Sequence, residues 1–140
     1  MIHAVVTEHV NASADRVRAL YEEPDNWARL FPATIRGARV VRREGGTTVV
    51  EVDHVEGRVM NVLRAVSPTR IDLDEFKRRY DAAFTNEFVP EGGGMRYTLT
   101  ASVRLKWPYR LIAPFVKPLV LAKMRRYVVK PLKAAAESER

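Results

Sequence analysis

The feature that most limits what this chain can become is a change of hydrophobic period. From Thr34 to Lys106 apolar residues recur at every second position; from Pro118 to about Glu137 they recur with the period of a helix. In that last stretch Leu121, Met124, Val128, Leu132 and Ala135 fall on one side, flanked by Val120 and Tyr127. Lys123, Arg126, Lys130, Lys133 and Glu137 fall on the other. This is the stripe of a helix lying against an apolar surface. Pro118 suits the first helical turn, where its missing N–H is not needed. At 1.5 Å per residue the helix spans about 30 Å, enough to cross a small domain. Pro131 removes an intrahelical donor and predicts a kink that widens any space beneath it.

Before the helix, the chain reads as strands with one helical interruption. Ile2–Val10 alternates as a strand, and NASAD supplies N-cap chemistry from Asn11 or Ser13. ADRVRALYEE then forms a helix that ends at Pro24, and PDNWARLF forms a second, stopped by Pro32. From Thr34 to Lys106 six period-two runs are separated by turn signals: EGGT, Glu56-Gly57, Ser67-Pro68-Thr69 and PEGGG among them. Tyr97, Leu99, Ala101, Val103 and Leu105 share one face of the last run, with Arg96, Thr98, Thr100, Ser102 and Arg104 on the other. Short connections make the strands an antiparallel meander. The order is therefore β, α, α, six β, α. A seven-stranded sheet with one half-buried face needs a cover, and only the last helix is long enough to be one. The sheet is expected to curl around that helix and leave a ligand cavity between them.

A chain of 140 residues is one ordinary domain. It has no cysteine, hence no disulfide, thiolate metal site or cysteine nucleophile. Three scattered histidines make no metal site, and no motif asks for a cofactor. The N-terminus lacks the pattern of a signal peptide, no apolar run reaches membrane-spanning length, and a cytoplasmic protein, monomer or homodimer, is expected. The net charge of +7 is unevenly placed. Between Gly92 and Ala136 there are ten Lys/Arg and no Asp or Glu. The ordinary reading is a solvated helix face. The sharper one is a surface for an anionic membrane or an acidic partner, carried by Lys123, Arg126, Lys130 and Lys133. Nucleic acid is not expected, since no binding motif is present and the cations are not interleaved with exposed aromatics.

One run carries a family likeness. VNASADRVRALYEEPDNWARLFPAT, residues 10–34, resembles the opening of the polyketide cyclase/dehydrase group of START-like helix-grip proteins, the SRPBCC superfamily, on Asn26, Trp27, Phe31 and Pro32. The closing Leu-Lys-Ala-Ala-Ala-Glu, residues 132–137, resembles that group's last helix. The resemblance implies an α+β helix-grip (START/Bet v 1-like) fold with a deep, mostly apolar cavity between sheet and helix. It implies a hydrophobic guest such as a polyketide, lipid or sterol, held by a carrier or sensor, turned over by an aromatase/cyclase, or transferred at an anionic membrane.

The residues that could serve a guest follow from facing. His54 is the one histidine within the middle strands, beside valines that include Val52, and an imidazole suits proton transfer near neutral pH; a hydrogen-bonded rim histidine is the alternative. Tyr97 faces the helix and either orients a guest through its hydroxyl or simply packs. Arg64 stands where the resemblance implies a cavity arginine, able to hold a carbonyl or enolate oxygen. Parity contests this: Arg64 shares a face with Arg58, Met60 and Val62, and the opposite face, Val59, Asn61, Leu63 and Ala65, is equally apolar. Asn61, Glu75 and Asn86 are candidates for a small polar set in an apolar lining made by Phe84, Phe88, Leu99, Leu121, Met124 and Val128. Glu75 holds that place only if Phe76 points outward. Trp27 and Phe31 either close the cavity mouth or anchor the short helix. The Pro-interrupted segment WPYRLIAPFVKP either packs, closes the cavity or enters a membrane interface.

Overall fold

The computed structural model describes residues 1–138. Strand β1 (Ile2–Val10) is followed by α1 (Ala14–Glu22), a 3₁₀ turn (Pro24–Asn26) and the short α2 (Trp27–Leu30). Six strands follow: β2 (Ile35–Glu44), β3 (Thr47–His54), β4 (Gly57–Ser67), β5 (Arg70–Phe76), β6 (Tyr80–Glu91) and β7 (Gly94–Leu105). They form one antiparallel sheet in the order β1-β7-β6-β5-β4-β3-β2. The α1–α2 segment carries the chain from one edge to the other, and every later step is a hairpin.

Local chemistry sets these boundaries. Ser13 caps α1 by accepting from the Arg16 N–H at 3.2 Å. At the start of β7 the backbone runs so close to β1 that a Cβ on Gly94 would lie 2.2 Å from the Val10 carbonyl oxygen, so only glycine fits. Register shifts in β2 between Ile35 and Gly37 and between Val40 and Arg42, and in β4 between Ala65 and Ser67, bend that side of the sheet.

The last helix begins earlier than Pro118. A 3₁₀ turn (Tyr109–Ile112) leads into α3 (Ala113–Met124), so Pro114 takes the first-turn place and Pro118 lies inside the helix. The break expected at Pro131 takes the form of a π turn, Arg125–Val129, before α4 (Lys130–Ser138). Pro131 cannot donate to the carbonyl four residues back, and the N–H of Lys130 reaches instead to Arg125, five back. The extra residue shifts the phase of the buried face. Met124, Val129, Leu132 and Ala136 are buried, and the predicted Val128 is only half-buried.

α4 is tied down and packs against α1. Leu132 and Ala136 are fully buried. The Arg16 Nε donates to the Ala136 carbonyl at 3.2 Å, and the Asn11 N–H donates to Glu137 at 2.8 Å. Lys133 donates to the His9 carbonyl at 2.6 Å and pairs with Glu8 at 3.6 Å and Glu137 at 3.2 Å. Lys133 is therefore a strut between helix and β1, which corrects its assignment to an open basic surface. α3 runs beside β1 and packs with Val116 and Val120 on the core, which leaves Phe115 and Leu119 outward.

Candidate functional site

The pairing register decides which face of each strand meets the helices. Leu99 lies opposite Val6 and Asn86, Phe84 opposite Leu73, and Asn61 opposite Val50 and Glu75. The inner wall thus carries Val52, Asn61, Leu73, Glu75, Phe84, Asn86, Phe88, Tyr97 and Leu99. Glu75 is inward as expected, and Phe76 is half-exposed on the outer face.

Arg64 has the opposite parity. Its guanidinium pairs with Asp74 at 2.6 Å on the outer face and is about half exposed. The cross-strand register that sends Asn61 inward sends Arg64 out, so the expected cavity arginine is corrected. Trp27 and Phe31 are both buried, and the Trp27 indole donates to the Tyr21 carbonyl at 2.8 Å. They anchor α2 in the core and do not form a mobile lid.

Two polar groups interrupt the apolar wall. The deeper one joins Tyr21, Asn86 and Tyr97, all buried. The Asn86 amide donates to the Tyr21 hydroxyl and the Ile71 carbonyl, each at 3.2 Å, and the Tyr97 hydroxyl donates to the Asn86 carbonyl oxygen. Burial pushes the Tyr21 and Tyr97 hydroxyls well above the usual phenol range. The rings pack as well, with centroids 6.1 Å apart for Tyr21–Phe88 and 5.4 Å for Phe88–Tyr97. This network is buried and neutral. It fixes the core, and Tyr97 has its proton committed to Asn86.

The second group lies at the rim where β3, β5 and β6 end. Lys77 contacts Glu75 at 2.9 Å, Glu56 at 3.2 Å and the Tyr80 hydroxyl at 2.9 Å. His54 accepts the Glu56 N–H on Nδ1 at 3.1 Å, which leaves the proton on Nε2. Partial burial and then the Lys77 charge lower the His54 pKa, so the ring is neutral at pH 7. Burial raises the Lys77 cost of charging, but Glu75 and Tyr80 outweigh it and hold the ammonium protonated. Lys123 also reaches this rim closely enough for its charge to act on His54 and Glu56. The sequence reading missed Lys77, Tyr80 and Glu56. The signal was present, since Glu75 and Lys77 share parity and Glu56 sits in the turn beside His54.

Asn61 stands apart from both groups. It is 4 % exposed, and its carbonyl oxygen is the one buried side-chain polar atom without a hydrogen-bond partner among the described residues. Such an acceptor costs free energy until a donor reaches it.

The deep chamber expected between sheet and helix is replaced by packed aromatic rings and helix side chains. Two cavities lie at its margins. One, about 130 Å³, is bounded by Thr48, Leu63, Ala65 and Ile71 of the inner wall together with Glu22 and Arg43. The other, about 460 Å³, is an open groove on the outer flank of α3 with a floor of Pro118, Leu121 and Ala122 and a rim of Arg125, Arg126 and Lys130. Leu121 therefore touches this outer groove, while Met124 stays in the core.

Known structures share this architecture. The chain aligns over 99 % of its length with the di-domain aromatase/cyclase StfQ of the steffimycin biosynthetic pathway, at 13 % identity and a TM-score of 0.81, and spans about half (51 %) of that protein. A START superfamily protein from Mycobacterium smegmatis matches at 17 % identity and a TM-score of 0.78, over 99 % of both chains. The Zhui aromatase/cyclase from a Streptomyces species matches at 16 % identity and a TM-score of 0.75, over 96 % of this chain and 93 % of that one. At these identities the likeness shows the fold. No curated protein matches in sequence. The profile of one family, described as polyketide cyclase / dehydrase and lipid transport, matches residues 1–137. The sheet and helix share the fold of these START-like structures, and on the match over residues 1–137 the chain belongs to the polyketide cyclase / dehydrase and lipid transport family.

Proposed function

We propose that this protein binds a hydrophobic small molecule bearing at least one hydrogen-bond donor, between the inner wall of the sheet and the last helix, as a carrier or sensor. The observation that carries the reading is Asn61: a buried, partnerless acceptor on an apolar wall, next across the strands to Glu75. A core built only for stability gains nothing from it, whereas a guest hydroxyl would satisfy it. The half-buried Phe84, Leu121 and Val128 mark where the wall and helix are least tightly closed. A guest reaches that wall by displacing the α3 half of the helix, since the hydrogen bonds and ion pairs that hold the last helix to β1 and α1 are made by α4.

Asn61→Leu tests this directly. It is expected to stabilise the guest-free protein by about 1 kcal/mol, because the orphaned acceptor is gone. It should also weaken uptake of hydroxylated polyketides or sterols, read by native mass spectrometry and thermal shift. A variant that is destabilised, or that takes up such guests unchanged, would overturn the reading.

Catalysis is the second reading, and the rim supports it. His54 with its proton on Nε2, beside Glu75, Lys77 and Tyr80, is a set of donors and acceptors of the kind aldol cyclisation or dehydration of a poly-β-keto chain uses. In this reading the reacting residues are His54 and its rim neighbours; Tyr97 positions the core, and Arg64 lies too far outside to take part. Turnover of a poly-β-keto thioester that survives Tyr97→Phe and is lost in His54→Gln would select the enzyme over the carrier.

A further inference from the structure

The stretch from Trp107 to Leu119 breaks the usual rule for a soluble surface. Phe115 is 80 % exposed, Trp107 70 %, Leu111 68 % and Leu119 54 %, with Ile112 beside them. These residues all lie within the 107–119 segment. They occupy the lead-in turn and the outward side of α3, while the same helix packs Val116 and Val120 onto the core. Single exposed apolar residues are common, but a run of five large ones on one short segment marks a contact surface.

The charges around the run say what it contacts. Arg110, Lys117, Arg125 and Lys130 flank it, and none is in an ion pair with a described residue. Arg79 stacks over Tyr109 at 5.5 Å and adds another cation at the same edge. No Asp or Glu occurs between Gly92 and Ala136. The groove beside the run has an apolar floor and the three cations Arg125, Arg126 and Lys130 on its rim. Exposed Trp and Phe with a ring of Lys and Arg complement an anionic lipid bilayer, where aromatics enter the headgroup boundary and cations meet the phosphates. A second copy fits poorly, because a two-fold contact of this face sets one cationic rim against another.

We infer that the Trp107–Leu119 segment and the Arg125–Lys130 rim dock this protein onto an anionic membrane surface, with α3 lying in the headgroup boundary. This rests on the binding reading for its purpose: a guest of low water solubility is collected or released where α3 meets lipid. It keeps the Pro-interrupted segment, Arg126 and Lys130 of the surface expected from sequence and drops Lys133, which is engaged with Glu8 and Glu137.

The test is flotation of the full chain with vesicles of phosphatidylcholine alone or with a third phosphatidylglycerol. Binding to the anionic vesicles is expected to exceed binding to the neutral ones by more than about tenfold at low salt and to fall as salt rises. Trp107 emission should shift to the blue on binding, and Trp107→Phe should abolish the shift, since Trp27 is already buried. Phe115→Ser with Leu119→Ser, and separately Lys117→Glu with Arg125→Glu, should each lower binding more than tenfold with unchanged melting temperature. Equal binding to both vesicle types, or no blue shift, would overturn the inference. So would a patch that instead mediates a dimer or holds an acidic protein while ignoring lipid. A docking-deficient variant that still carries a guest separates this inference from the binding reading.

Discussion

The two halves of the last helix are built from similar residues and are held in different ways. α4 has Leu132 and Ala136 fully buried, a lysine pinned by two carboxylates and a backbone carbonyl, and hydrogen bonds from both ends of the β1–α1 connection. α3 has Val116 and Val120 on the core, but Phe115 and Leu119 in solvent and Lys117 in no ion pair with a described residue. The π turn lies between them. The difference teaches that amphipathic period alone does not say what a helix is amphipathic toward. One half uses its stripe to close the fold, and the other presents a second apolar surface outward.

The sharpest way to break this contrast is to cut into the closed half. Leu132→Ala leaves a cavity in a fully packed site and should cost about 2–5 kcal/mol in urea unfolding. A cost below about 1 kcal/mol would mean that α4 is no better anchored than α3. A smaller effect reports on where α3 sits. His54 has a lowered pKa, so the unfolded chain takes up its proton first as pH falls below about 6.5. Stability should therefore drop from pH 7 toward the folded pKa, and His54→Gln should flatten that drop. Lys123→Ala removes one positive charge near the ring and should raise the His54 pKa in an NMR titration, while Lys133→Ala should leave it unchanged. The smallest effect is expected at the open half. Phe115→Ser should change stability by no more than about 0.5 kcal/mol, because the ring is already in water. A loss of 2 kcal/mol there would show that the stripe is part of the core.

Much of the fold could be read from the chain because its signals agree. Alternation along Tyr97–Leu105, three glycine-containing hairpins and one long amphipathic run leave few topologies. The facing of β4 could not be read, since Met60 and Val62 on one side match Val59 and Leu63 on the other in hydrophobicity. It is settled by pairing with β3 and β5, a non-local fact. The phase of the last helix was missed for a related reason. A 100° step assigns the stripe to Val128, and only the turn forced ahead of Pro131 moves Val129 into its place. Residue size misled as well. Phe88 and Met124 read from the sequence as the lining of a chamber, yet they are part of the mass that fills it. Finally, the sequence leaves Trp107–Leu119 open among packing, closing a cavity and entering a membrane interface, and its exposure depends on α3 having only one side to give to β1.

The wide turn at Arg125–Val129 also governs how this chain can be recombined with its relatives. A donor segment that is regularly α-helical through this point would arrive one residue out of step. Leu132 and Ala136 would then rotate by about 100° away from the core. A chimera joined upstream of Met124 should therefore fold only if one position is deleted or added at the junction, which makes alignment gaps here a question of rotational phase as much as of length.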